Sequence, residues 1–181
     1  MRIIAGSARG RRLASVPKQL VIRPTLDRVR EALFSALGPR LPGAAFLDLF
    51  AGTGANGLEA LSRGAEKAVF VDSHPDALAL IRENLARTRL EGRGKSHCLS
   101  MPKGLARLEG VFDIIYADPP QTFADYVGFL SALESRKLLA EGGVIVLEHG
   151  TGLDLPATLG AWYRTRQRSY GKTTVSSYLR K

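Results

Sequence analysis

At 181 residues, with 45% hydrophobic content and a mean hydropathy of −0.04, the chain is long enough for one domain with a substantial core. It has no run of about 18 apolar residues, which excludes a transmembrane helix, and "MRIIAGSARGRR" lacks the apolar core of a signal peptide. A single cysteine, Cys98, excludes an internal disulfide and fits the cytoplasm, and the net charge of +9 fits either a polyanionic partner or a merely soluble surface.

In chain order, "TLDRVREALFSAL" (25–37) predicts a helix with Leu26, Val29, Leu33 and Leu37 on one face and Thr25 as N-cap. "GPRLPG" breaks the chain before "AAFLDLF", a short buried strand, and a helix follows through Leu58 and Leu61. "KAVFVD" (67–72) is a second strand and "PDALALIRENLARTRL" (75–90) a helix opening on Pro75. "KSHCLS" is a weak third strand, with Cys98 expected as a small core residue, and "VFDIIYAD" a strong fourth. "TFADYVGFLSALESRKLL" predicts a helix capped by Thr122, and "GGVIVLEH" a fifth strand. "WYRTRQRSY" and "TTVSSYLRK", joined at Gly171, complete the pattern as a hairpin packed by Tyr170 and Tyr178. The expected fold is one α/β domain with a mostly parallel, doubly wound, seven-stranded sheet and an antiparallel C-terminal hairpin. Residues 1–40 form a basic extension on a core of 44–181.

The charge is uneven. Residues 1–40 carry +7, residues 164–181 carry +6, and the middle carries −4. A near-neutral body with basic ends points to a polyanion beside it, with Arg9, Arg11, Arg12 and the tail from Arg164 on phosphates.

Ligands of such sheets bind beyond the C-terminal strand ends. There "DLFAGTGANG" (48–57) satisfies G-x-G-x-x-G at Gly52, Gly54 and Gly57, and Asp72, beside Ser73, lies 20 residues after Gly52. Alone, this also fits a dinucleotide. Asp48 tilts the choice: a carboxylate before the loop repels a pyrophosphate but favours the ammonium and sulfonium of S-adenosylmethionine. Asp72 then suits ribose hydroxyls. In "DIIYADPPQTF" (113–123), Asp118 ends a strand and is held extended by Pro119. Neither Pro119 nor Pro120 has an N–H, so Asp118 and a nearby carbonyl remain acceptors for the exocyclic amine of a base. His74, His97 and His149 show no metal-ligand spacing, and no metal is expected. Glu148, at the end of the fifth strand, is either structural or near the substrate.

"RIIAGSARGRRL", "RPTLDRVREALFSAL", "DLFAGTGANGLEALSRGA", "DPP" and "SYGKTTVSSYL" together resemble the RsmD-type 16S ribosomal RNA guanine-N2 methyltransferases, nearly end to end. The resemblance implies a Rossmann-like class I methyltransferase that uses S-adenosylmethionine to make N2-methylguanine in small-subunit RNA. It places the cofactor loop on Asp48, Phe50, Gly52 and Gly54, the ribose acid on Asp72, and the catalytic motif on Asp118, Pro119 and Pro120. Arg23, Thr25 and Arg28 fall in the segment that covers cofactor or meets RNA.

The chain departs from the family twice. Gln121 stands where an aromatic usually follows D-P-P, leaving Phe123 and Tyr126 as the nearest stacking residues or, equally, as core packing, and "CLSMPKG" leaves Ser100 and Met101 as the adenine contacts. The expected protein is a cytoplasmic monomer acting on ribosomal RNA or the assembling small subunit. The alternatives are another nucleic-acid amine such as adenine N6, a binding-only RNA protein with a vestigial pocket, and an NAD-dependent enzyme.

Overall fold

The computed structural model describes residues 1–17, 20 and 27–180. Arg23, Thr25 and Leu26, with the predicted Thr25 cap, lie outside the described residues. The elements are α1 (Asp27–Leu37), β1 (Ala45–Leu49), α2 (Ala55–Ser62), β2 (Lys67–Asp72), α3 (Pro75–Thr88), β3 (Gly94–Cys98), β4 (Phe112–Ala117), α4 (Tyr126–Ser135), β5 (Leu139–Gly150), β6 (Thr158–Leu159), β7 (Trp162–Tyr170) and β8 (Thr173–Arg180). They build one sheet in the order β3-β2-β1-β4-β5-β8-β7-β6. β1 to β5 are parallel, and β6 to β8 run antiparallel. The sheet therefore has eight strands among the described residues rather than seven. The extra one is two residues long, too short to show alternation in the sequence.

β1 is buried at all five positions because it lies centrally with helices on both sides. Strand alternation divides its side chains between two cores. On one face, Phe46, Phe70, Ile114, Tyr116 and Val146 pack under α1, α2 and α3 through Phe34, Leu58, Leu61 and Ile81. On the other, Leu47, Leu49, Ile115, Ile145 and Tyr178 pack against Phe129, Leu130 and Leu133 of α4. Val29, Leu33 and Leu37 are buried on α1 as the periodicity predicts. Tyr178 is fully buried, and Tyr170 packs at the edge of the first core. No helix among the described residues is long and apolar enough to cross a membrane.

Two expectations fail. Cys98 is exposed rather than in the core, because β3 is the outermost strand and its side chains are mostly open to solvent. α4 begins at Tyr126 rather than after Thr122, capped by Asp125, whose Oδ1 accepts the Gly128 N–H at 2.8 Å. The residues before it turn back instead, the Phe123 N–H donating to the Pro120 carbonyl at 2.8 Å.

The basic N-terminus is an antiparallel hairpin, bridged at Arg2 and Arg12 and closed by Ile3 N–H to Arg11 O at 3.0 Å. It docks on α2 through Glu59, fully buried, whose carboxylate accepts the N–H groups of Ile4 (2.8 Å) and Ala5 (3.0 Å). Arg63 Nε donates to the same carboxylate at 2.7 Å, and the buried Arg30 lies 3.9 Å from it. Gly6 must be glycine here: a Cβ would stand 1.9 Å from the Ser62 carbonyl oxygen, and its φ is +83°.

Candidate active site

The Gly-rich turn joins β1 to α2 through left-handed backbone at Phe50 (φ 61°), Gly52 (φ 54°) and Gly54 (φ 75°). Two of the three positions are glycine because such φ is free of strain there; Phe50 carries a cost of about 1–2 kcal/mol. Gly57 serves packing, since a Cβ on it would meet Phe70 Cε1 at 2.3 Å. The turn is held from outside. Ala51 N–H donates to Val71 O at 2.9 Å, Gly52 N–H to Asp72 Oδ2 at 2.9 Å, and Gly57 N–H to Asp48 Oδ2 at 2.8 Å. Asp72 also takes the His74 N–H on Oδ1 at 2.9 Å. It thus fixes the turn's shape, a task the sequence reading did not give it, and a carboxylate with four acceptor sites still has two for hydroxyls.

Asp48 is buried, and among the described residues its Oδ1 accepts no hydrogen bond. Burial pushes its carboxyl up to about 8; the Gly57 N–H opposes that rise and the charge of Asp72 adds to it. In the ligand-free protein at neutral pH it therefore holds a proton, which an arriving ammonium would displace. The sign follows for stability. The folded state binds the proton more tightly than the unfolded chain, so this stabilisation is complete below about pH 4 and is lost as pH rises towards 8. Asp48→Asn should gain stability relative to the parent across that interval, by several kcal/mol, and level off above pH 8. Thermal melts from pH 5 to 9 check this, and parallel curves would contradict it.

Asp118 is half-buried at the end of β4, its N–H 3.4 Å from the Leu49 carbonyl at the end of β1. Pro119 is buried and Pro120 exposed. Beneath Asp118, on the same side of the strand, Tyr116 is buried and its hydroxyl donates to Glu148 Oε2 at 2.5 Å. Burial, then the charges of Glu148 and Asp118, hold the phenol well above its ordinary pKa, so it stays a donor. Glu148 is thus a buried partner of Tyr116. Tyr116 escaped the sequence reading because it looks like one more apolar strand residue. His149 is buried between Ser176 Oγ (2.9 Å) and its neighbour's carbonyl (3.0 Å), and burial lowers its pKa.

Phe50 and Phe123 join the two loops. Their rings meet edge-on at 5.7 Å, and Phe123 also meets Tyr126 (5.1 Å) and Phe129 (5.7 Å). Such pairs contribute about 0.5–1.5 kcal/mol each beyond burial. Phe123 is half-buried in this cluster, whereas Gln121 is exposed at the rim. At the neighbouring strand ends Leu99 N–H donates to Asp72 O at 2.9 Å, which places exposed Ser100 and half-buried Met101 beside Asp72 and exposed Ser73.

The basic residues divide by position. Arg9, exposed, lies in the hairpin turn against Ser62, so α2's length of eight residues, about 12 Å, separates it from the Gly-rich turn. Arg11 donates to the Arg87 carbonyl at 3.4 Å, and Arg12 is exposed opposite Arg2. Arg28 is exposed on α1. Arg166 and Arg168, exposed on β7, border a shallow groove floored by Ala32, Leu33 and Ala36 of α1. A larger cleft of about 220 Å³, between Arg40, Asp113 and Glu141, lies by the starts of β1 and β4, at the opposite end of the strands, and shares no residue with the site.

The family described as "Conserved hypothetical protein 95" matches residues 1–179. The chain belongs to that family. It is 38% identical over 181 residues to "Putative rRNA methyltransferase YlbH" of Bacillus subtilis (strain 168), covering 98% of each chain. It is 35% identical over 180 residues to "Ribosomal RNA small subunit methyltransferase D" of Escherichia coli (strain K12), covering 99% of this chain and 90% of that one. The solved structure "Putative methyltransferase yhhF" from Escherichia coli superposes with a TM-score of 0.89 at 33% identity, covering 100% and 98% of the two chains. This family member is a methyltransferase, and S-adenosylmethionine is its methyl donor. The site fits that group: the buried Asp48, whose Oδ1 accepts no hydrogen bond among the described residues, gains a counter-charge from a cationic ligand, which a pyrophosphate would not supply. The NAD-dependent and binding-only alternatives end here.

Proposed function

We propose that this methyltransferase acts on the exocyclic N2 amine of a guanine in small-subunit ribosomal RNA. The placement of Asp118 carries the reading: a half-buried carboxylate at the end of β4, against the end of β1 and one strand from the cofactor turn. When bound, S-adenosylmethionine supplies an electrophilic methyl group. The turn from Asp48 to Gly54, with Asp72, Ser73, Ser100 and Met101, holds it across the ends of β1, β2 and β3. An exocyclic amine has its lone pair delocalised into the base, so it must be aimed as well as approached. Asp118 would accept one N–H and a carbonyl of the Pro119 segment the other, which would aim the amine at the methyl donor. Positioning of this kind accounts for a large share of the rate.

Gln121 at the rim offers an amide to the base edge in place of an aromatic face. Phe123 is committed to the Phe50 cluster and presents only its remaining exposed surface. The target base must be unpaired or flipped to reach this rim. Arg12 and Arg28, with Arg166 and Arg168, supply phosphate contacts flanking it, and Arg9 and Arg11 reach RNA farther away. The names of the relatives support ribosomal RNA as the substrate.

The test is binding to a small-subunit RNA transcript as salt is varied. Each phosphate contact contributes about 0.7–0.9 to the slope of log K against log salt. Alanine at Arg12 and Arg168 together should flatten it by up to roughly 1.8 and leave cofactor affinity unchanged. A salt-independent affinity, or the same slope in the double variant, would show that these charges do not contact RNA.

A further inference from the structure

The basic hairpin and the cofactor turn share a buried residue that neither needs for packing alone. Asn84, on α3, is fully buried. Its Oδ1 accepts the Ala14 N–H at the root of the hairpin at 2.7 Å, and its Nδ2 donates to the Thr53 carbonyl in the cofactor turn at 2.9 Å. The two partners fix the amide's orientation, since an N–H requires an acceptor and a carbonyl a donor. A second contact runs beside it: Thr53 Oγ1 lies 3.7 Å from Met1 Sδ, and the Met1 carbonyl accepts the Leu13 N–H at 3.1 Å. The hairpin's other polar ties run elsewhere: through Glu59 and Ser62 to α2, from Arg30 of α1 to the Arg2 carbonyl at 2.6 Å, and from Arg11 to the Arg87 carbonyl at the far end of α3.

We propose that Asn84 is a positioning residue that couples the seating of the N-terminal hairpin to the occupied shape of the cofactor turn. When the hairpin root lifts, the Asn84 amide loses an acceptor's partner in a buried setting and its hold on Thr53 weakens. When a cofactor fixes the turn, Thr53 fixes Asn84 and the root is held down. Linkage makes the effect reciprocal: whatever secures the hairpin tightens cofactor binding by the same factor. If the hairpin carries RNA, as proposed above, substrate and cofactor promote each other's binding. The coupling itself does not require RNA.

Hydrogen exchange with S-adenosylhomocysteine as the probe tests it on the full chain. In the parent protein, saturating S-adenosylhomocysteine should slow exchange of the Ala14, Ile3 and Leu13 amides by at least about 10-fold, with a ceiling near 100-fold at one hundred times Kd. Asn84→Ala should bind the probe but lose that slowing. Asn84→Asp keeps an acceptor for Ala14 and loses the donor to Thr53; it should lose the slowing too, and it serves should the alanine variant not fold. Ser62→Ala loosens the hairpin at its far end without touching the bridge and should retain the slowing. No slowing in the parent protein, or equal slowing in both Asn84 variants, would overturn the proposal. Failure of the protein to bind RNA would count against the function proposed above and leave this result standing.

Discussion

Asp118→Ala should lower the methylation rate by at least about 100-fold while S-adenosylmethionine binding is retained. The reason lies in how the site divides its work. On the proposed reading the turn from Asp48 to Gly54 and Asp72, whose carboxylate also ties the Gly52 N–H, hold the cofactor. Asp118, just past β4 and beside the end of β1, is assigned to the amine instead. Losing its acceptor leaves the nitrogen unaimed, and misplacement by about 1 Å alone costs on the order of 100-fold. Asp72→Ala should show the opposite profile. It removes hydrogen bonds to a charged group, worth about 1.5–3 kcal/mol, so cofactor Kd should rise roughly 10- to 150-fold. Calorimetry with S-adenosylhomocysteine and single-turnover methylation separate the two. Equal loss of binding in both variants would contradict this division.

Glu59→Ala should be the most destabilising single substitution among the described polar residues. Its fully buried carboxylate accepts two hairpin N–H groups and the Arg63 guanidinium. Its removal leaves those donors unsatisfied and leaves the buried Arg30, whose pKa burial already lowers, with the Asp27 carboxylate at 2.9 Å and the Arg2 carbonyl at 2.6 Å. Breaking a buried ion pair from one side costs about 3–5 kcal/mol. For a chain of this length that is a fall in Tm of about 6–20 °C. A change of less than about 3 °C in a thermal melt would mean that the hairpin is not seated through Glu59.

The central strands and the cofactor turn are legible in the sequence because their causes are local. "AAFLDLF" and "DIIYA" read as apolar runs because those strands are buried on both faces, and Gly52 and Gly54 stand where the backbone adopts positive φ. What escaped is long-range. Glu59 reaches residues 54 and 55 positions away and Asn84 one 70 positions away, yet on their helices both look like surface polar residues. Tyr116 and Glu148 are 32 positions apart and meet only because β4 and β5 are neighbours. Cys98 was misread for a related reason: strand order, which puts β3 at the edge, is not visible in the strand's own residues. The start of α4 was misplaced because Thr122 and Asp125 are both acceptable caps, and Phe123 chooses between them by packing on Phe50.

The claim that a guanine amine is methylated through Asp118 is tested most directly by mapping N2-methylguanine in small-subunit ribosomal RNA. Three strains are compared: one with the protein, one without it, and one carrying only Asp118→Ala. One N2-methylguanine should be present in the first strain and missing from the other two. An identical map in all three, or a modification restored by Asp118→Ala to the level of the parent, would contradict it.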